Sequence, residues 1–398
     1  MYLVKTNHIP IYSYVVTLFL YSTLLIDLYR KLVGANVGVV RNIIYIIALL
    51  LILWDAIKTK RIYHMIIVGG GMTLLYFLSS FVYPQHGEVY VSAWFLFVSR
   101  LWPAYYVGRY TDDWKEVSYM VRKFIWIAVI YAVLAFTASV YDSSGENSTY
   151  ATIAKNLFYI VWIALYDSIN SKKVVYILLC LFCLIPVLFL GTRTCLFGSL
   201  LAFAFYFSKI ISRSKARKKL MYYMLLSGGG ILAFVFFTSF ADILSTYLPN
   251  SRTVNLLISG EILNDSNRSD SFYSLMLQSL QQTPLKMYGI VGNQIWIAGE
   301  NASTNDILSS FAHNIYLEFC MNFGLVIGLG LCFYFTIALF RCYLKTRWVN
   351  RDLEFVFIGV FGMTFVNMML SFSWVFSYEV WLLFGLMYSV LRKRRAQF

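Results

Sequence analysis

VVYILLCLFCLIPVLFLGTRTCLFGSLLAFAFYF, residues 174–207, decides the architecture of this chain. As a single helix the run would be roughly 50 Å long, against a bilayer hydrocarbon core of about 30 Å. Gly191-Thr192-Arg193-Thr194 lies at its centre, and a hairpin turn there makes two spans of it. Working outward, further apolar segments lie near 11–28, 37–55, 62–83, 89–108, 123–141, 150–167, 220–240, 314–340, 353–371 and 374–391. A crossing needs about 20 apolar residues, so the expectation is about twelve transmembrane helices. The fold class is then all-α, a polytopic integral membrane protein with one transmembrane domain over 1–398.

Composition supports the same class. The 398 residues are 60% hydrophobic, 19% aromatic and only 13% charged, with mean hydropathy +0.67. A soluble domain carries about 25% charged residues. The net charge of +14 does not point to nucleic acid, because the basic residues sit in short clusters between apolar runs. Lys58-Lys60-Arg61, Arg122-Lys123, Lys172-Lys173, Lys209 to Lys219, Arg341 to Arg351 and Arg392 to Arg395 all fall on one side of a twelve-span chain. Basic loops stay cytoplasmic, which puts both termini inside; Arg30-Lys31 is the one violation. The N-terminal run has no small-residue cleavage site and reads as a retained span. The six cysteines, including Cys180 and Cys183, lie in or beside apolar runs and read as packing residues without disulfide or zinc.

Residues 240–312 form the one long polar loop. Asp242, Glu261, Asp265, Asp270, Glu300 and Asp306 outnumber Arg252, Arg268 and Lys286 there, so the loop is expected outside. Phe272, Leu275, Met276 and Leu280 recur at helical spacing, predicting an amphipathic interfacial helix near 267–283, closed by Pro284.

Three residues converge on that outer face. Arg193 sits in the 191–194 turn, Arg268 opens the loop helix and His313 closes the loop. Arginine presents a permanently charged planar fork suited to phosphate oxygens, and histidine can take a proton from an attacking hydroxyl near neutral pH. Each also has a plainer reading: a snorkelling anchor, a salt bridge to Asp265 or Asp270, and a helix cap. Asn314, Glu318 and Asn322 are spaced by four and form a polar stripe on one helix face. On the residues alone Glu318 joins His313 as a catalytic candidate that orients a sugar or an arginine; an interhelical hydrogen bond is the alternative. Arg100, inside the fourth span, needs a partner or a water-filled cavity, and reads as a phosphate ligand or a helix anchor. Lys155-Asn156 are candidates to line an acceptor cavity. No His, Asp or Glu cluster has metal-ligand spacing, so neither metal nor cofactor is expected.

Three blocks resemble bacterial O-antigen polymerases and O-antigen ligases. They are Leu190-Gly191-Thr192-Arg193-Thr194; Asn267-Arg268-Ser269 with its helix, Thr283-Pro284-Leu285, Gly289 and Gly292; and Ala312-His313-Asn314 with Leu317-Glu318, Gly324 and Gly328. They cover residues 190–330, and their order and the long external loop carry the resemblance. It implies a multi-span (GT-C-like) glycosyltransferase of the bacterial inner membrane with its site facing the periplasm. Donor and acceptor would be glycans on undecaprenyl pyrophosphate, with Arg193 and Arg268 binding the pyrophosphate and His313 acting as base or orienting the acceptor. Asn314 and Arg100 are the additional site residues. Besides the lipid bilayer, the resemblance allows a chain-length regulator protein as partner. Polymerase is the preferred activity, ligase onto lipopolysaccharide core the alternative, and a lipid-linked sugar flippase the third reading.

Overall fold

In the computed structural model, residues 11–33, 38–137, 147–189, 193–215, 218–219, 221–222, 258–259, 269–299, 301–310, 312–370 and 373–392 are described. Among them there is no strand, and the chain is an all-α, membrane-embedded protein. Among the described residues six helices are long and apolar enough to cross a membrane, or seven if one bent pair counts as a span. The expected span at 220–240 lies outside the described residues.

The first half comprises α1 (Ile11–Val33), α2 (Gly38–Lys58), α3 (Ile62–Ser80), α4 (Gly87–Leu96), α5 (Trp102–Tyr110), α6 (Trp114–Lys123), α7 (Ile125–Thr137), α8 (Asn147–Asn170), α9 (Val174–Phe189) and α10 (Arg193–Arg213). The second comprises α11 (Ser269–Gln282), α12 (Gly292–Ala298), α13 (Thr304–Ser309), α14 (Ile315–Lys345), α15 (Arg351–Leu370) and α16 (Tyr378–Arg392). The apolar run at 174–207 is divided as α9 and α10. In α15 the apolar span is 78% buried, against 22% in α2 and in α3. Helix α15 is therefore the centre of the bundle, and α2 and α3 turn most of their apolar surface to lipid.

Small residues let α15 be surrounded closely, as membrane helices without a water-driven collapse require. A Cβ at Gly359 would lie 2.2 Å from the Trp162 indole, and one at Gly362 would lie 2.6 Å from Ala202. Trp162 stacks on Phe355 at 4.6 Å and donates to its carbonyl oxygen at 2.9 Å. Helix α10 runs antiparallel to α15, with Gly198 beside Met363 and Arg213 paired to Glu354 at 2.6 Å. One end of the bundle is thus basic. The other is where α10 starts and α15 finishes, and is called here the loop end.

Three places depart from simple crossings. The segment 89–108, expected as one span, is one continuous helical run of α4, a π-helical turn (Phe97–Leu101) and α5, and Arg100 sits in the π turn. Arg122, expected in a basic loop, lies at the end of α6 and pairs with Asp167 at 2.7 Å, with side-chain exposures of 11% and 5%. Helix α6 meets α7 at a 48° bend, which carries the guanidinium into the bundle, where a carboxylate offsets its burial.

The third departure is largest. The region 314–340, expected as one span, is broken at Gly324, which has φ 76° and ψ 161°. Only glycine occupies that region readily. Beyond it the helix folds back. A Cβ at Gly328 would lie 2.4 Å from the Cys320 Cα, the Cys332 thiol reaches the Tyr316 carbonyl at 3.6 Å, and the Tyr316 and Thr336 hydroxyls bond at 2.9 Å. Residues 315–323 therefore lie antiparallel beside 325–336, a short arm against a long one. Unbroken, the helix would be roughly 46 Å long and would overshoot the hydrocarbon core.

Candidate functional site

The hairpin tip is fastened by the loop that precedes it. Tyr288 and Gly289 donate their backbone N–H groups to Met321 and Asn322 at 3.1 and 3.0 Å, and Leu325 donates to Pro284 at 2.8 Å. Next to this clamp, Ile290 N–H reaches Ser79 Oγ at 2.9 Å, and the Ser279 hydroxyl of α11 bonds that of Tyr288 at 2.7 Å. Met276 and Leu280 of α11 are buried while Leu275 and Leu277 are exposed, so the loop helix packs one face on the bundle.

The short arm carries His313, Asn314 and Glu318. Asn314 stands just outside the helix, with φ −151°, and caps it: its Oδ1 accepts from Tyr316 and Leu317 N–H at 2.9 and 3.3 Å. His313, half-buried, precedes it at φ 52°. Because the arm folds inward from the tip, His313 is carried back along the long arm by roughly the 13 Å of a nine-residue helix. His313 still stands at the junction of loop and helix, but the helix it precedes is a folded-back arm and not the straight span expected. The polar stripe is corrected with it: Asn314 is the cap, and Glu318 and Asn322 alone lie on the buried helix face.

Glu318 is 1% exposed and its carboxylate is held entirely by uncharged groups. It accepts from Gln294 Nε2 of α12 at 3.1 Å, from the Ser373 hydroxyl and from Trp374 N–H at 3.2 Å. These are the interhelical bonds that the sequence left as its alternative. They tie the short arm to α12 and to the 373–377 segment before α16.

That segment leads into a second polar cluster. Lys155 and Glu379 form a buried ion pair at 3.2 Å, and the Tyr378 hydroxyl donates to Asn156 Oδ1. The Arg100 guanidinium lies 4.5 Å from the Tyr378 ring centre and 5.2 Å from that of Tyr45. Its Nε has no hydrogen-bond partner among the described residues, and Glu379 is a carboxylate whose charge acts on it. Lys155 is the cation paired with Glu379, and Arg100 rests on the ring of the neighbouring Tyr378. Beside them Lys155, Tyr159, Thr364, Asn367, Ser377 and Glu379 line a narrow recess too tight to admit a water molecule. Such a cluster in a low-dielectric bundle favours an anion, since a buried charge without a counter-charge is costly.

Arg193 begins α10, and Gly198 of that helix faces Met363. Counting back one turn of α10 and forward one turn of α15 sets Thr194 at the level of Asn367, which lines the recess. The backbone at Arg193 therefore reaches the Lys155–Glu379 layer. Arg268 lies outside the described residues. Of the expected residues, Glu318 bonds the start of the 373–379 segment and Arg100 lies on Tyr378 near its end, while the start of α10 reaches the level of Asn367. Among the described residues no group of three or more His, Cys, Asp or Glu side chains could hold a metal ion.

Sequence reading missed Gln294, Ser373, Tyr378 and Glu379. Their only signal was polarity inside or next to an apolar run; their partners lie up to 224 residues away. No protein-family model, curated protein or solved structure matches the chain.

Proposed function

We propose that the chain is a membrane glycosyltransferase that polymerises oligosaccharide repeat units carried on undecaprenyl pyrophosphate into O-antigen or a similar surface polysaccharide. One observation carries it: a buried, cation-rich cluster of Arg100, Lys155 and Glu379 lies at the end of the bundle where α10 begins with Arg193. A lipid-linked pyrophosphate presents anionic oxygens at the membrane surface, and positioned positive charge stabilises its departure. In this reading Arg193 and Arg268 grip the pyrophosphate and Arg100 adds to the local field. An acceptor sugar hydroxyl attacks the anomeric carbon of the donor, forming the new glycosidic bond with inversion. The anomeric C–O bond to pyrophosphate breaks, its electron pair leaves with the phosphate, and His313 takes the hydroxyl proton. Glu318 orients the acceptor, and Asn314 fixes the start of the arm that carries both.

The reading includes a GT-C-like bundle of about twelve spans in a bacterial inner membrane, both termini cytoplasmic and the loop end periplasmic. Gel analysis of surface glycan from a deletion strain tests it. Single repeat units on the lipopolysaccharide core are the expected outcome. Long chains stranded on the carrier lipid would make the enzyme a ligase, and unchanged surface glycan would remove the proposal.

A further inference from the structure

Around Glu318 the bundle buries more hydrogen-bonding capacity than it uses. Asn293 and Gln294 are 0% exposed and Asn322 is 1% exposed. Neither the nitrogen nor the oxygen of the Asn322 amide has a hydrogen-bond partner among the described residues, and the same holds for Asn293 Oδ1 and Gln294 Oε1. Asn322 is one helical turn beyond Glu318 and on the same face. Gln294 is bonded to the carboxylate, and Asn293 lies close to it outside good hydrogen-bond geometry. The buried Tyr76 hydroxyl, in electrostatic reach of Glu318, and the Trp374 indole N–H are likewise without partners among the described residues.

Each buried, unsatisfied polar group costs about 1–3 kcal/mol, and native proteins carry only a few. A concentration of them at one carboxylate calls for something that completes their bonds. The ligand's chemistry follows from the groups. Amides offer donors and acceptors together, and a carboxylate accepts only; the mixture suits neighbouring hydroxyls, which do both. Glu318 makes all its bonds to uncharged groups, so the site offers no cation to a phosphate. The cationic layer at Lys155 and Arg100 lies beyond the 373–379 segment.

We propose that Glu318, Asn322, Asn293 and Gln294 form a subsite for an uncharged, hydroxyl-rich sugar ring. The assignment rests on the transferase reading only for the name of the ring, a sugar of the acceptor or donor glycan; the completion of unpaired amides stands on the geometry alone.

The test uses the full-length protein in lipid nanodiscs and phosphate-free saccharides: methyl glucoside, methyl rhamnoside and N,N′-diacetylchitobiose, with inorganic pyrophosphate as comparison. Saturation-transfer NMR reports binding and thermal unfolding reports stability. At least one saccharide should bind the parent, and Asn322→Leu should weaken that binding at least tenfold while leaving the unfolding temperature equal or higher. That pairing is diagnostic, because an amide that bonds nothing in the protein is dispensable to the fold and needed only by a ligand. Asn293→Leu is the second variant if Asn322→Leu fails to insert. No saccharide binding to the parent, undiminished binding in the variants, or an unfolding temperature lowered by several degrees, marking a structural water cluster, would each overturn the subsite. Saccharide binding with normal surface glycan in the deletion strain would keep the subsite and reject the polymerase.

Discussion

His313 holds φ at 52°, a region histidine, asparagine and aspartate enter more readily than most residues. Its replacement must respect that backbone, so His313→Asn is the informative variant. We expect it to insert and unfold like the parent while long-chain glycan disappears from cells that carry it alone; normal chains would remove His313 from the chemistry. The arginines call for a different substitution. A lysine keeps the charge of Arg193 or Arg268 but not the planar fork, so Arg193→Lys and Arg268→Lys should each cut transfer by an order of magnitude or more. Parent-like activity in both would make them anchors. The Lys155–Glu379 pair, with side-chain exposures of 3% and 5%, makes a stability prediction. Glu379→Gln leaves a buried ammonium without its carboxylate and should cost about 3–5 kcal/mol. The double variant Lys155→Met with Glu379→Leu should cost less than either single change. Thermal unfolding in detergent measures all three. Lys155 was legible in the sequence as a polar residue inside a span, but Glu379 was not singled out, because nothing local distinguishes a carboxylate at the start of an apolar helix from a surface one.

At the scale of elements, the break in α14 matters most to the site, since it sets where the short arm lies. Glycine at 324 was legible, but the run 314–340 reads as one span; what the sequence did not show was that it breaks there and folds back as a helical arm. Hydrophobic periodicity cannot register it, because both arms are apolar and the turn needs only one residue. Backbone geometry makes the dependence sharp. Gly324→Ala forces a Cβ into a region of φ and ψ reserved for glycine, at a cost of about 1–3 kcal/mol, and 3.3 Å from the Leu285 carbonyl. Gly328→Ala leaves the turn alone but drives a methyl to within 2.4 Å of the Cys320 Cα, an overpacking of about 1–3 kcal/mol. Both should lower the unfolding temperature and reduce transfer. Gly330→Ala, at a position where a Cβ meets nothing within 4 Å, should do neither. Equal behaviour of the three would mean that the arms do not pack as described. The π turn at 97–101 was equally invisible, since its consequence, Arg100 turned onto the Tyr378 and Tyr45 rings, depends on partners that arrive much later in the chain.

Across the whole molecule, charge and apolar length were the legible quantities, and they bear on which way the bundle lies. The basic end gathers Arg213 against Glu354 and the Lys345 ammonium on the Leu391 carbonyl, close to the clusters whose cytoplasmic retention is the rule for membrane proteins. At the opposite end Ser79, Gly289 and Ile290 meet. Ion pairing within the basic end reduces the charge available to hold it in place: Arg122, spent on Asp167, is one anchor fewer than the sequence counted. The remaining clusters at Lys172-Lys173, Lys209 to Lys219 and Arg392 to Arg395 must fix the orientation. Single cysteines for membrane-impermeant labelling can be placed at Ser303 and Lys286 on the loop side, and at Lys173 and Arg351 on the basic side, in a background where the six native cysteines are replaced by alanine or serine. Labelling of intact cells or spheroplasts should mark the first two and spare the second two until the membrane is opened. The reverse pattern would place the Lys155–Glu379 layer and His313 nearer the cytoplasm, on the side away from lipid-linked chains awaiting polymerisation, and the transferase reading would fall with that single result.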